Sequence, residues 1–325
     1  MRGRLWELLA CGLALGVAGP APAQDYPARP ITVIVPYTAG GPTDVVTRLL
    51  GQAMGASLKQ QIVVENVGGA AGTVGAARAA RSPPDGYTLF LHNIGHATAP
   101  ALYRGLSYDP ITDFEPIGLV VDVPQAMVAK NANPARSLPE LVTYLKANRD
   151  RVNLAHSGRG SGSHLCALLL MGAIDAKLTE VAYKGTGPAI TDLMGGQVDV
   201  MCDQVSNTGN QIKAGTIRGY CVTTRTRVAS LPDLPPCADA GLPGFEASVW
   251  HGLYAPKGTP PAIIGRVNEA LRAALRDPTV KQRLAELGAE PVAESQVTPA
   301  ALRTHLGAQV DQWAAVIRAA KLLPE

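Results

Sequence analysis

The run Ile31–Thr32–Val33–Ile34–Val35 and the dozen residues after it constrain the fold more than any other part of the chain. Four β-branched apolar residues around one threonine form a buried strand. Pro36–Tyr37–Thr38–Ala39–Gly40–Gly41 follows, its glycine pair freeing the backbone. Pro42 then stands where a helix begins, with Asp44 just behind it, and both are helix-start signals. A strand, a glycine turn and a helix N-terminus leave several N–H groups unpaired beside the positive end of the helix dipole, a place for a carboxylate or phosphate. The same pattern also suits an ordinary βα turn in which glycine supplies φ > 0.

The preceding segment is a targeting signal. Arg2 and Arg4 precede an apolar run, Leu8 to Val17, that is too short to span a bilayer, and Ala21–Pro22–Ala23 supplies small residues for a signal peptidase. Residues 1–23 are therefore expected to be a secretory signal peptide, with export through the Sec pathway. No later segment holds about eighteen uninterrupted apolar residues. The remaining chain of about 300 residues is large for one core and predicts two lobes. Removing Arg2, Arg4 and Glu7 takes the net charge from +3 to +2. With no Lys/Arg block and only three Phe, the sequence gives no support to a nucleic-acid partner. Cys166, Cys202, Cys221 and Cys237 form no C-x-x-C pair, which argues against structural zinc or thioredoxin-like chemistry. In an oxidising compartment Cys202 and Cys221, both in strand-like runs, are a candidate disulfide, with buried free thiols as the alternative.

Short apolar strands alternate with amphipathic helices, the pattern of an α/β protein with a largely parallel sheet. Strands are expected at Ile31–Val35, Gln61–Glu65, Tyr87–Leu91, Ile117–Val121, Gln125–Ala129, Asn153–His156, Glu180–Tyr183 and Val198–Cys202. Helices are expected from Pro42 to about Ser57, through Ala80, and at Leu138–Asn148, His164–Ile174, Ala189–Gly195, Pro261–Arg276, Pro278–Leu287 and Pro299–Ala320, with Leu231–Pro243 as connection.

Glycine-bearing loops follow strands in both halves: Thr38–Thr43 and Asn66–Thr73, then Ser157–Ser163 and Lys184–Gly187. Ligands of open α/β sheets bind beyond the carboxyl ends of strands, so these loops predict a cleft for a small polar, anionic ligand. Enzyme motifs fail. Ser161 lies in Gly160–Ser161–Gly162 and not in G-x-S-x-G, and no phosphate-loop or dinucleotide fingerprint exists. A serine hydrolase using Ser161 and His164 is a remote alternative. His92 and His96 have helical zinc spacing, but Gly95 and a position just after a strand argue for a loop. Asp44 and Asp203 could pair as acid and base, although one capping a helix and the other binding water or a ligand hydroxyl is the simpler arrangement. No cofactor or metal is expected.

Several segments together resemble a known family. Tyr26–Pro27–Ala28–Arg29–Pro30–Ile31, Pro36 to Gly41, Val64–Glu65–Asn66 and Pro84–Asp85–Gly86–Tyr87–Thr88–Leu89 stand in its order. So do Ser157–Gly158 with His164–Leu165, Tyr183–Lys184–Gly185–Thr186, Gly195 to Asp199, Glu246 to Trp250, and Ala255–Pro256–Lys257–Gly258–Thr259–Pro260. The combination resembles the Bug family, the periplasmic solute-binding proteins of tripartite tricarboxylate transporters, over essentially the whole mature chain. The resemblance implies a type II periplasmic-binding-protein fold with a ligand cleft between two lobes: residues 24–122 as lobe 1, 123–224 as lobe 2, and 225–325 returning to lobe 1 as a helical C-terminus. It implies a monomer without catalytic activity that captures a di- or tricarboxylate, aromatic acid or amino acid for one large and one small integral membrane subunit. A sensor signalling to a membrane histidine kinase is the alternative role. The ligand-binding set is expected to be Tyr37, Thr38, Ala39, Gly40, Gly41, Thr43, Asn66, Gly72, Thr73, His92 and Asn93 from lobe 1. Lobe 2 is expected to add Ser157, Gly158, Ser161, His164, Lys184, Thr186 and Asp203. Main-chain amides around Thr38–Gly41 would hold the principal carboxylate, with Arg159 tuning the distal end or lying in solvent.

Overall fold

A computed structural model describes residues 26–319, 322 and 324; the signal peptide expected at 1–23 lies outside them. β1 (Ile31–Val35) leads through the glycine turn into α1 (Pro42–Leu58), capped by Gly41 with Pro42 at the first helical position. β2 (Ile62–Asn66), α2 (Thr73–Ala80), β3 (Thr88–Asn93) and α3 (Gly95–Leu102) complete the first βα series. β1 pairs in parallel with both β2 and β3. His92 is thus in a strand and His96 in a helix, where a loop was expected. Gly95 argues for a loop, yet α3 forms, with Pro100 inside it, because His96, Ala97, Thr98, Ala99 and Leu102 are all buried.

β4 (Phe114–Lys130) is one long strand where two were expected. Asp122 and Pro124 interrupt its apolar pattern, but register shifts around Pro116–Asp122 absorb the break, and Ser248 Oγ bonds Asp122 Oδ2 at 2.9 Å. The second series is α4 (Leu138–Ala147), β5 (Asn153–His156), α5 (Gly162–Ala173), β6 (Thr179–Ala182), α6 (Thr186–Met194), β7 (Val200–Gln204), α7 (Val205–Lys213) and β8 (Ile217–Val222). β9 (Ser248–Pro256), α8 (Pro261–Arg276), α9 (Pro278–Glu286), β10 (Glu290–Pro291) and α10 (Pro299–Ala319) close the chain.

The sheet order is β2-β1-β3-β9-β4-β7-β5-β6, with β8 and β10 also on β4. The largely parallel arrangement expected holds at the two flanks; β9 and β4 make the centre antiparallel. β4 changes partners along its length, pairing with β9 up to Pro124 and with β7 and β8 from Gln125 on. Thr223 ties this switch together, its hydroxyl receiving the Gln125 amide at 2.9 Å and its carbonyl the Ala247 amide at 3.1 Å. One core around Phe90, Tyr254 and Trp313 and another around Met127, Leu141 and Leu154 each belong to one flank, while a third, from Val33 and Leu50 to Leu193 and Met201, runs through both. Among the described residues no helix is long and apolar enough to cross a membrane.

All four cysteines of that second core are bridged, as Cys166–Cys202 and Cys221–Cys237. Among the described residues neither the Cys202–Cys221 pair nor a free thiol is found. Met127 lies opposite Cys202 on one side of β4 and opposite Cys221 on the other. Two strand spacings, about 10 Å, separate those cysteines, beyond the roughly 7 Å that a bridge tolerates.

Candidate functional site

The turn after β1 is shaped by Asp44. Its carboxylate receives the Gly40 amide at 2.9 Å, Arg48 Nε at 2.9 Å and Asn66 Nδ2 at 2.9 Å. Burial opposes its ionisation, but the donors from Arg48, Gly40 and Asn66 outweigh it and hold its pKa below the ordinary carboxylate range. Asp44 is thereby a scaffold for the turn, which leaves no acid–base pair with Asp203. Gly40, at φ 78°, takes the left-handed conformation; Gly41 sits at φ −76° as the helix cap, and its amide is spent on the Thr38 carbonyl. Among the described residues the amides of Thr38, Ala39, Thr43 and Asp44 have no protein partner. These four, and not those of the glycines, are the donors free at the N-terminus of α1.

A directed chain of hydrogen bonds backs this turn. Tyr37 OH donates to Asn93 Oδ1 at 3.0 Å, and Asn93 Nδ2 to Thr43 Oγ1 at 3.2 Å. His251 of β9 faces the Val249 carbonyl through Nδ1 at 3.1 Å, so that nitrogen carries the hydrogen and Nε2 accepts from Thr43 Oγ1 at 3.2 Å. Burial holds His251 down to about 4, and it drives the Tyr37 phenol far above its ordinary range. The chain is neutral from end to end. Sequence reasoning missed His251, which lies 208 residues from its partner.

Thr43 and Asn66 therefore spend their side chains inside lobe 1. Thr38 Oγ1 and His92 Nε2 are buried and unbonded among the described residues. Gly72, at φ 101°, lets the backbone pass His92, because a Cβ there would come within 2.8 Å of the ring. Ala70 and Ala71 beside it, at φ 42° and 49°, hold left-handed backbone that costs roughly 1–2 kcal/mol per residue without glycine.

Lobe 2 faces this surface with the loops after β5 and β6. Ser161 caps α5, its Oγ receiving the His164 amide at 3.2 Å. The His164 ring turns away from that hydroxyl, with Nδ1 on the Gly160 amide at 3.0 Å and Nε2 beside Glu180 at 3.1 Å, so Ser161 has no base. Ser163 Oγ bonds the Cys202 carbonyl at 2.7 Å. Thr186 Oγ1 donates to Asp203 Oδ2 at 2.8 Å, and the Gln204 amide to Oδ1 at 2.6 Å. Lys184 is exposed.

The two surfaces touch. A Cβ on Gly185 would overlap Thr38 Oγ1, and one on Gly158 would lie 3.6 Å from Ala71. Thr98 Oγ1 donates to the Gly160 carbonyl at 2.7 Å, and Tyr103 OH to that of Arg159 at 2.8 Å. The N-termini of α1, α2, α5 and α6 all open onto this seam. A hollow of about 760 Å³ between α2 and residues 103–108 lies beside the seam and is a separate feature.

Burial pushes Asp203 up to about 6, against the hydrogen bonds from Thr186 and Gln204. An unfolded aspartate ionises near 3.9, so this group subtracts stability as pH rises from about 4 to about 6, and the loss persists above that. Asp203→Asn is expected to raise stability at pH 7.5 by about 1–2 kcal/mol, allowing for one weakened hydrogen bond, and to gain nothing near pH 4. Thermal melts at the two pH values check this. A lower Tm at pH 7.5 would mean that the two donors outweigh burial.

Two α/β lobes bridged by antiparallel strands and meeting along helix N-termini define a periplasmic binding protein. The chain matches the family described as tripartite tricarboxylate transporter family receptor over residues 46–322, and it belongs to that family, the Bug solute-binding proteins. It is similar to the periplasmic binding protein BugD, with 45% identity and a TM-score of 0.89 over 92% of this chain and 100% of that one. MatC from Rhodopseudomonas palustris, solved with bound malate, shares 39% identity at a TM-score of 0.86, covering 90% of this chain and 100% of MatC. A further R. palustris protein, solved with adipate, shares 32% identity at a TM-score of 0.88 over 93% and 100% of the two chains.

Proposed function

We propose that the protein captures a small organic carboxylate in the seam between its lobes. It then delivers the acid, as a Sec-exported periplasmic monomer, to a permease of one large and one small integral membrane subunit. The observation that carries this reading is the cluster of unpartnered amides at Thr38, Ala39, Thr43 and Asp44, set at the N-terminus of the 17-residue α1, where Thr38 meets Gly185 of the second lobe. Such donors are preorganised and keep their partial positive charge at any working pH. Malate and adipate in the related structures support an acid of this size. The lobes are residues 24–122 with 225–325 and residues 123–224, and they hinge near Val121–Val123 and Thr223–Arg225. The change of partners along β4 supports that hinge.

A thermal-shift screen of organic acids that includes malate and adipate tests the reading. Binding at micromolar strength or better, roughly −8 kcal/mol, is expected for at least one acid. At about a hundred times its dissociation constant that acid should add about 2.7 kcal/mol of stability. Stabilisation by sugars or cations alone would end this assignment.

A further inference from the structure

Behind the Ser157–Ser163 loop, His156 at the end of β5, His164 in α5 and Glu180 in β6 form a cluster. The two rings are buried, with centres 4.5 Å apart. Each accepts one loop amide on Nδ1: Gly158 N at 3.3 Å on His156, and Gly160 N at 3.0 Å on His164. A backbone N–H can only donate, so both Nδ1 atoms carry lone pairs and both ring hydrogens sit on Nε2. The two Nε2 atoms face a single oxygen, Glu180 Oε1, at 3.9 Å from His156 and 3.1 Å from His164. Two histidines and a carboxylate this close have the make-up of a metal site. The tautomers oppose one. A metal on Nε2 would need that lone pair, moving each hydrogen to Nδ1, where it would meet the amide hydrogen.

The amides that the rings hold belong to the loop whose carbonyls reach the other lobe. Arg159 O takes the Tyr103 hydroxyl and Gly160 O the Thr98 hydroxyl. We propose that His156, His164 and Glu180 are positioning residues, which set the Ser157–Ser163 loop in the shape that closes on lobe 1, and that protonating His156 releases it. A doubly protonated ring would aim an Nδ1 hydrogen at the Gly158 amide and break the hold. The charged and titratable groups around His156 are His164, Glu180 and Arg159. Burial first, then His164 and Arg159, hold His156 down to about 4 against the attraction of Glu180. A released ring returns toward about 6.5, so the closed form is favoured above that pH and loses ground as pH falls toward 4.

The role in affinity rests on the carboxylate-binding reading; the tautomers do not. Nitrogen-15 NMR of the ligand-free chain at neutral pH is expected to show both rings as Nε2–H tautomers. The Gly158 and Gly160 amide shifts should then titrate together with the His156 ring. Calorimetry with malate should show affinity falling about tenfold or more between pH 7 and pH 5. In His156→Asn an oxygen replaces Nδ1 as acceptor and cannot titrate. That variant should keep the neutral-pH affinity within about threefold and lose most of the difference, with the acid's own ionisation common to both proteins. Glu180→Gln should move the fall to lower pH. An Nδ1–H tautomer on either ring, or an unchanged pH slope in His156→Asn, would overturn the proposal. If malate does not bind, the ligand reading suffers, and the tautomers with the linked amide titration still decide this one.

Discussion

Replacing Cys166 and Cys202 together by serine is expected to cost about 4 kcal/mol of stability. The bridge closes a 36-residue segment, and the chain-entropy relation gives that figure for a loop of this length. The 16-residue bridge, Cys221–Cys237, should be worth about 3 kcal/mol by the same relation. Against a total of about 5–15 kcal/mol for a folded domain, losing both would leave lobe 2 near unfolding. A Tm lower by about 8–16 °C for the first pair measures the effect in a thermal melt. The two pairs should differ in function as well. Cys166 is on α5, whose start supplies Ser161 and Ser163, and Cys202 immediately precedes Asp203 on β7. Cutting that bridge lets the two elements shift against each other, while Cys221–Cys237 only pins the proline-rich connection onto β8. Acid binding should therefore weaken more in the Cys166/Cys202 variant. An unreduced native mass showing four alkylated thiols would refute the bridges outright.

The cysteines also show where the sequence stops being legible. Strand character at Cys202 and Cys221 was readable from local pattern; that β4 runs between them was not, because it depends on pairing across some 75–100 residues. The β1–α1 unit was readable nearly to the residue, since Val35, Gly41 and Pro42 each act within a few positions. β9 escaped notice as a strand: Trp250, His251 and Gly252 blur its alternation, and it is buried on both faces at the sheet centre. The same division holds at the site. Glycine loops after strands located the seam. Which polar groups remain for a ligand could not be read, because Thr43 spends its hydroxyl on a histidine of β9, and His164 spends its ring on Gly160 and Glu180.

Gly185→Ala is expected to abolish acid binding while the protein stays folded. At φ 156° and ψ 175° Gly185 occupies backbone space that other residues enter at a cost of about 1–3 kcal/mol, so Tm should fall by a few degrees in every state. The larger effect is confined to the closed form, in which the new Cβ overlaps Thr38 Oγ1 from the opposite lobe. A ligand gripped by both lobes gains only from the state that both lobes can reach. An overlap costing about 3 kcal/mol there lowers the apparent affinity roughly 150-fold. Small-angle scattering with saturating acid should show the variant keeping a larger radius of gyration than the wild type. Adding Thr38→Ala removes the overlapping oxygen and leaves the remaining Cβ of residue 38 at 3.4 Å, an ordinary contact, so the double variant should close again. Gly187→Ala, two residues on, is the control: nothing lies within 4 Å of its Cβ, and a helical alanine there should leave binding alone and slightly raise Tm. Wild-type affinity in Gly185→Ala would mean that the liganded lobes do not meet at Thr38, and the carboxylate would have to be sought away from this seam.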